Sequence, residues 1–237
     1  MKISDDDRKE NFLMALGQMA PAQGEPEINL KKMASMAAEA AVRGADILCF
    51  PELSYTGYFV RKERLLEIAE TEDGVFVTWL RDAAKKYSIW IGAGYAERGG
   101  EGLYNTYLLA NREGNIACRA RKVHLWKSEK KRFVSGHEFP VIDTEFGKIA
   151  VLICYDMEFP ETVRMAGLRG AETILCPAAW RTPENTGGKY FYRPRAFTIS
   201  CSRRASIPPM SSAAAPPPWP APTAVSWPKP GRRRRGF

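Results

Sequence analysis

The chain has 237 residues, 45% of them apolar, which is enough for one large α/β domain with a sizeable core or two smaller ones. No apolar run approaches the roughly 20 residues of a membrane span, the acidic start MKISDDDRKE does not read as a signal peptide, and five cysteines without CxxC spacing argue against a disulfide framework, so the sequence reads as a soluble cytoplasmic protein. The net charge of +8 hints at a nucleic-acid partner, but nine of the 35 Lys and Arg and none of the 27 Asp and Glu fall from Phe191 onward, leaving the body near neutrality at about −1.

In chain order, FLMALGQM over Phe12–Met19 predicts a first strand, and Asn29 is expected to cap a helix over Leu30–Arg43 that Gly44 ends. ADILCF, Ala45–Phe50, is a continuous apolar run of the kind found in a strand covered on both faces. It leads into Pro51 and Glu52, an acid that reads equally as a helix cap or a solvated loop carboxylate. A second helix is expected over Asp73–Tyr87, then a strand from Ser88, SIWIGAGYAER. Leu103–Asn111 and the run from Asn115 to about His124 predict a hairpin turned at Glu113-Gly114, with Lys122 near its end. Taken alone, that lysine reads as surface charge.

Ile149–Ile153 is a short β-branched run ending at Cys154, and Pro160 suits the first turn of a helix that reaches about Arg169 and stops at Gly170. A thiol at such a strand-to-helix elbow stands where open α/β sheets put reactive groups, although a free cysteine is commonly just a small buried hydrophobe. Ala171–Trp180, AETILCPAAW, repeats the design of ADILCFPE and suggests two similar sheet halves. Strands separated by helices and then by each other predict a layered α/β fold with a mixed sheet.

The composition breaks near the end. The 47 residues from Phe191 hold ten of the seventeen prolines, four consecutive arginines and no acid, with neither strand alternation nor helical periodicity. The division expected is therefore a folded domain over residues 1–190 and an Ala/Pro/Arg-rich tail over 191–237, disordered or the product of a shifted reading frame.

Glu52, Lys122 and Cys154 thus all stand at strand ends. A neighbouring ammonium lowers a thiol's pKa, and a neighbouring carboxylate can accept its proton and later activate water, so the three types suffice for acyl transfer through a thioester. Metal-dependent hydrolysis finds little support, because the chain has only His124 and His137 and no HExxH. A Cys-His enzyme would need one of those two histidines as its base.

FPELSYTGY around Glu52, RKVHLW around Lys122, and ICYDMEFPETVR with GAETILCPAAW around Cys154 closely resemble the carbon–nitrogen hydrolase, or nitrilase, superfamily over roughly Phe12–Tyr190. The resemblance implies a four-layer α-β-β-α sandwich, its C-terminal part incomplete here, in which Glu52, Lys122 and Cys154 meet. It also implies that Glu129 stands beside them and that the Tyr155 backbone N–H helps hold an oxyanion. Tyr58, Trp126 and Trp180 are candidate pocket residues. The implied activity is hydrolysis of a small carboxamide or N-carbamoyl compound, without cofactor or metal, membrane or nucleic-acid partner. A homodimer is implied too, one that depends on the C-terminal strands. A non-catalytic binding protein on the same scaffold is the alternative.

Overall fold

The computed structural model of the chain describes residues 11–179 and the backbone of two further strands, Arg195–Ser200 and Ala205–Ser206. Two sheets form the centre. One is built around β1 (Phe12–Leu16), β2 (Ile47–Cys49), β3 (Trp90–Gly99), β4 (Gly102–Ala110) and β5 (Ile116–Arg121), in that spatial order. β1, β2 and β3 are parallel, with Met14 opposite Ile47 and Ile47 opposite Trp90, whereas β3, β4 and β5 run as an antiparallel meander. The second sheet holds β6 (Val141–Thr144), β7 (Gly147–Val151) and β8 (Thr173–Ala178), with β7 and β8 parallel and Val151 opposite Leu175.

Alternation along the strands explains the layering. Met14, Ile47 and Cys49 pack with Ile149, Val151, Ile153 and Leu175 in a core between the two sheets. Their neighbours Ala15, Leu48 and Phe50 point the other way, onto helices α1 (Pro26–Val42) and α3 (Val75–Tyr87), where Met33, Ala37, Phe76 and Leu80 meet them. Ala150, Leu152 and Ile174 turn outward onto Ala166 of α4 (Pro160–Leu168). Two-faced burial of each strand therefore produces helix, sheet, sheet and helix in succession, the expected α-β-β-α order.

Several boundaries differ from the sequence expectation. Asn29 is not the helix cap: α1 begins at Pro26, whose missing N–H costs nothing in the first turn, and Asn29 lies inside it. Its side chain instead accepts from Ala22 N at 2.7 Å and donates to Ala22 O and Tyr55 O at 2.8 and 2.9 Å. A helix absent from the sequence reading, α2 (Lys62–Ile68), buries only Leu65, too little apolar surface to leave a periodic signal. The similar segments around Cys49 and Cys176 lie one in each sheet. No regular element was expected past Phe191, yet two short strands stand there: β9 (Arg195–Ser200) pairs antiparallel with β8, and β10 (Ala205–Ser206) pairs parallel with β1. The rest of the Ala/Pro/Arg-rich segment is outside the described residues.

Candidate active site

The chain leaves β2 with Phe50 N donating to Gly92 O at 2.8 Å and turns at once into the loop that carries Glu52. That loop lies hard against β3: a Cβ on Gly94 would come within 2.4 Å of Leu53 N, so only glycine permits the approach. Leu53 itself takes a left-handed φ of 49°. The carboxylate that results is buried, beneath the surface rather than solvated.

Lys122 follows β5 directly, its N–H bonded to Asn105 O and its C=O to Gly136 N. Its side chain is buried too, and Nζ donates to Glu52 Oε1 at 2.7 Å and to Glu129 at 2.9 Å. Glu129 comes from a single 3-10 turn, Lys127–Lys131, and its Oε2 accepts from Trp126 N at 2.6 Å. Asn105, on β4, sends Nδ2 to Glu52 Oε1 at 2.8 Å and toward Glu129 Oε1 at 3.4 Å. Two carboxylates therefore share one ammonium out of water. Burial raises the Glu52 pKa, Glu129 adds to the rise, and Lys122 and Asn105 oppose it without cancelling it. Burial alone would lower the Lys122 pKa, but Glu52, Cys154 and Glu129 outweigh it and keep the ammonium charged.

Cys154 opens a 3-10 turn, Cys154–Glu158, three residues past the end of β7, and adopts a left-handed φ of 49°. Of the four non-glycine residues with positive φ among those described, Leu53, Lys127 and Cys154 all flank this cluster. Such conformations cost on the order of 1–3 kcal/mol and persist where surrounding structure enforces them. Cys154 is 8% exposed and its thiol is near both Glu52 and Lys122, and the Ala179 amide that faces it also donates to Glu52 Oε2 at 3.0 Å. Acid, amine and thiol from two different sheets thus converge. The expected lowering of the thiol pKa does not prevail: burial pushes it well up and Glu52 adds to this, while Lys122 and the Ala179 amide pull back only in part. Cys49, Cys118 and Cys176 are likewise pushed up to about 12, so what distinguishes Cys154 is its place and not its acidity.

The carbon-nitrogen hydrolase family profile matches residues 13–201, which include this whole cluster. The chain belongs to that family. It is 38% identical over 189 residues to a nitrilase of Pyrococcus abyssi, covering 78% of this chain and 69% of the relative. It is 34% identical over 181 residues to the 2-oxoglutaramate amidase of Bacillus subtilis, covering 75% and 69%. Among solved structures, a variant of the amidase from Nesterenkonia sp. AN1 with acrylamide added at its active-site cysteine superposes with a TM-score of 0.66 at 29% identity, covering 75% of this chain and 70% of that one. The chain thus spans about two thirds of the length of these relatives.

The other expected site residues of this carbon-nitrogen hydrolase fall in different places. The Tyr58 ring lies 5.9 Å from Lys122 Nζ, and burial followed by Glu52 and Glu129 drives its hydroxyl well above the usual phenol range. Tyr155 is half-buried and meets Phe159 edge-on at 5.1 Å. Trp126 is half-buried as well, with the Lys127 ammonium 4.5 Å above its ring, and serves the cluster through its backbone N–H. Trp180 lies outside the described residues. Beside the cluster a cavity of about 520 Å³ is walled by His124, Leu125, Phe133 and Phe159, with Lys130 and Tyr155 among its polar lining. Among the described residues no group of three or more His, Cys, Asp and Glu side chains is placed to hold a metal ion.

Sequence reasoning missed two members of the site. Asn105 is one polar residue in β4, whose residues 103–110 are all buried, so no alternation of apolar and polar positions singles it out in the sequence. Ala179 contributes a backbone amide, which leaves no side-chain signal at all.

Proposed function

We propose that the chain is a thiol-dependent amidohydrolase that cleaves a non-peptide C–N bond of a small carboxamide or N-carbamoyl compound through a thioester on Cys154. The observation that carries this reading is the Lys122 ammonium held 2.7 Å from Glu52 beside a thiol that shares the Ala179 amide with that same acid. The Cys154 Sγ attacks the carbonyl carbon while its proton passes to Glu52, whose raised pKa suits it to hold that proton until the C–N bond breaks. The leaving ammonia or amine takes the proton. Glu52 then deprotonates a water that attacks the thioester and frees the thiol.

Lys122 and the Tyr155 N–H are assigned to the developing oxyanion, where loss of one donor costs about 10²–10³ in kcat. Glu129 keeps the ammonium charged and aimed, through its own contact at 2.9 Å. Substrate class is inferred from the family and from the named relatives, one of which is an amidase for 2-oxoglutaramate.

The test is ammonia release from a panel of carboxamides, N-carbamoyl amines and nitriles, run beside Cys154→Ala. Release from an amide or carbamoyl compound that disappears in the variant is the expected result. A folded wild-type chain no more active than the variant would instead support a non-catalytic binding protein.

A further inference from the structure

One carboxylate touches both strand ends that deliver the site. His124 stands two residues beyond Lys122, and both its backbone N–H and its ring Nδ1 reach Asp156 Oδ1, at 2.8 and 2.9 Å. Asp156 stands two residues beyond Cys154, and its other oxygen, Oδ2, accepts from Ile153 N at 3.2 Å while its own N–H donates to Ile153 O at 3.0 Å. The side chain therefore closes the turn in which Cys154 holds its left-handed φ and, with its remaining oxygen, grips the segment that follows Lys122. A carboxylate oxygen only accepts, so the ring carries its proton on Nδ1.

The ring is fixed on its faces as well. It stacks on Phe159 at 3.8 Å and 17° and on Phe139 at 5.8 Å and 13°, and Thr162 Oγ1 donates to Phe159 O at 2.8 Å. Asp156 is buried, and the titratable groups that face it are Lys122 and His124. Those that face Cys154 are Glu52 and Lys122, with the Cys176 thiol nearby. Nothing in the thioester chemistry requires a proton from His124 or Asp156. Their work is geometric.

We propose that His124 and Asp156 are a positioning pair that holds the Cys154 turn in register with Lys122, so that the sulfur reaches the carbonyl carbon while the ammonium reaches the oxygen bonded to it. The proposal rests on the reading of Cys154 as nucleophile, and it explains why a buried acid and a histidine persist beside a site that uses neither.

His124→Phe tests it, because phenylalanine keeps the stack on Phe159 and the cavity wall while removing the ring N–H. Alkylation of Cys154 by iodoacetamide, followed peptide by peptide across a pH series, reads the setting of the sulfur directly. In H124F the midpoint of that profile moves up by about one pH unit, which corresponds to about tenfold weaker support for the thiolate. With an amide that the wild type hydrolyses, kcat falls by a similar factor and KM stays within about twofold, since the wall is retained. His124→Asn, whose amide can offer an N–H near the Nδ1 position, restores most of both. A folded H124F with the wild-type midpoint overturns the proposal. Should H124F not fold, Asp156→Asn is read by the same midpoint. Because alkylation needs no substrate, an unmoved midpoint counts against this pair alone, whereas absence of ammonia release from the wild type counts against the hydrolase reading.

Discussion

The Ala179 amide donates to Glu52 Oε2 at 3.0 Å, joining the exit of β8 in one sheet to the loop after β2 in the other. Glu52 Oε1 is taken by Lys122 and Asn105, so the acid is held from both sheets at once. The apolar core between the sheets thereby sets the position of Glu52, Lys122 and Cys154: Val151, Ile153 and Leu175 pack against Ile47 and Cys49 a few residues below them. Packing defects in that layer will reach the site through very few bonds.

Gly94→Ala should injure activity more than stability. The added Cβ would meet Leu53 N at 2.4 Å and Pro51 O and the Glu52 carbonyl carbon at 3.1 Å, all backbone atoms that cannot swing aside. Overpacking of this kind costs about 1–3 kcal/mol, and a shift of about 1 Å in the Glu52 loop costs about 10² in kcat. Gly167→Ala on α4 is the control, since nothing lies within 4 Å of its Cβ and it should gain about 0.5–1 kcal/mol. Urea unfolding and initial rates on both variants decide it; wild-type kcat in G94A would show that the loop has room.

Glu97 gives a pH test of stability away from the site. It is buried on β3 and accepts from both Arg121 Nε and Nη2 and from Thr106 Oγ1, at 2.7–2.9 Å. Burial raises its pKa, but these donors outweigh burial and leave it below the ordinary carboxylate value. A depressed folded-state pKa means stability that is present above that ordinary value and lost as pH falls below it. Glu97→Gln should therefore cost about 1.5–3 kcal/mol at pH 7 and progressively less toward pH 3. A gap between variant and wild type that does not change with pH, in unfolding curves at both ends, refutes this.

How much of this was legible in the sequence varies by residue. Glu52 and Cys154 each follow an apolar buried strand, a signal that periodicity provides, whereas Lys122 follows the half-buried IACRAR and by itself reads as surface charge. Their convergence needed the motifs, because β2 and β5 lie in one sheet and β7 in the other. Asn29 was misplaced because proline three residues earlier sets the helix start more firmly than an asparagine cap. The direction of the Cys154 thiol was misjudged because sequence reveals a nearby lysine but not the depth of burial.

Asn105→Leu should move the pH dependence of catalysis. The amide donates to the ionised form of Glu52 and so opposes the rise that burial imposes. Without it the Glu52 carboxyl goes further up, and the base exists only at higher pH. The acid limb of kcat/KM against pH should therefore shift upward, while the alkaline side keeps its position. Among the described residues Asn105 Oδ1 has no partner, so leucine also removes an unsatisfied buried acceptor, which offsets part of the about 1.5–3 kcal/mol lost with the donor to Glu52. An acid limb that stays in place would mean that Lys122 alone sets the ionisation of Glu52.

Lys122→Met should destabilise the fold for a reason separate from catalysis. It leaves Glu52 and Glu129, both buried, without their shared cation, and breaking a buried pair from one side costs about 3–5 kcal/mol. Adding Glu129→Gln to that variant removes one of the two stranded charges. The double variant should recover about 1–3 kcal/mol relative to Lys122→Met alone, the coupling expected of residues in one network, while remaining inactive. Thermal or urea unfolding of the two singles and the double measures the cycle. Penalties that simply add would show that Glu129 is neutral in the folded chain and that the ammonium answers to Glu52 alone.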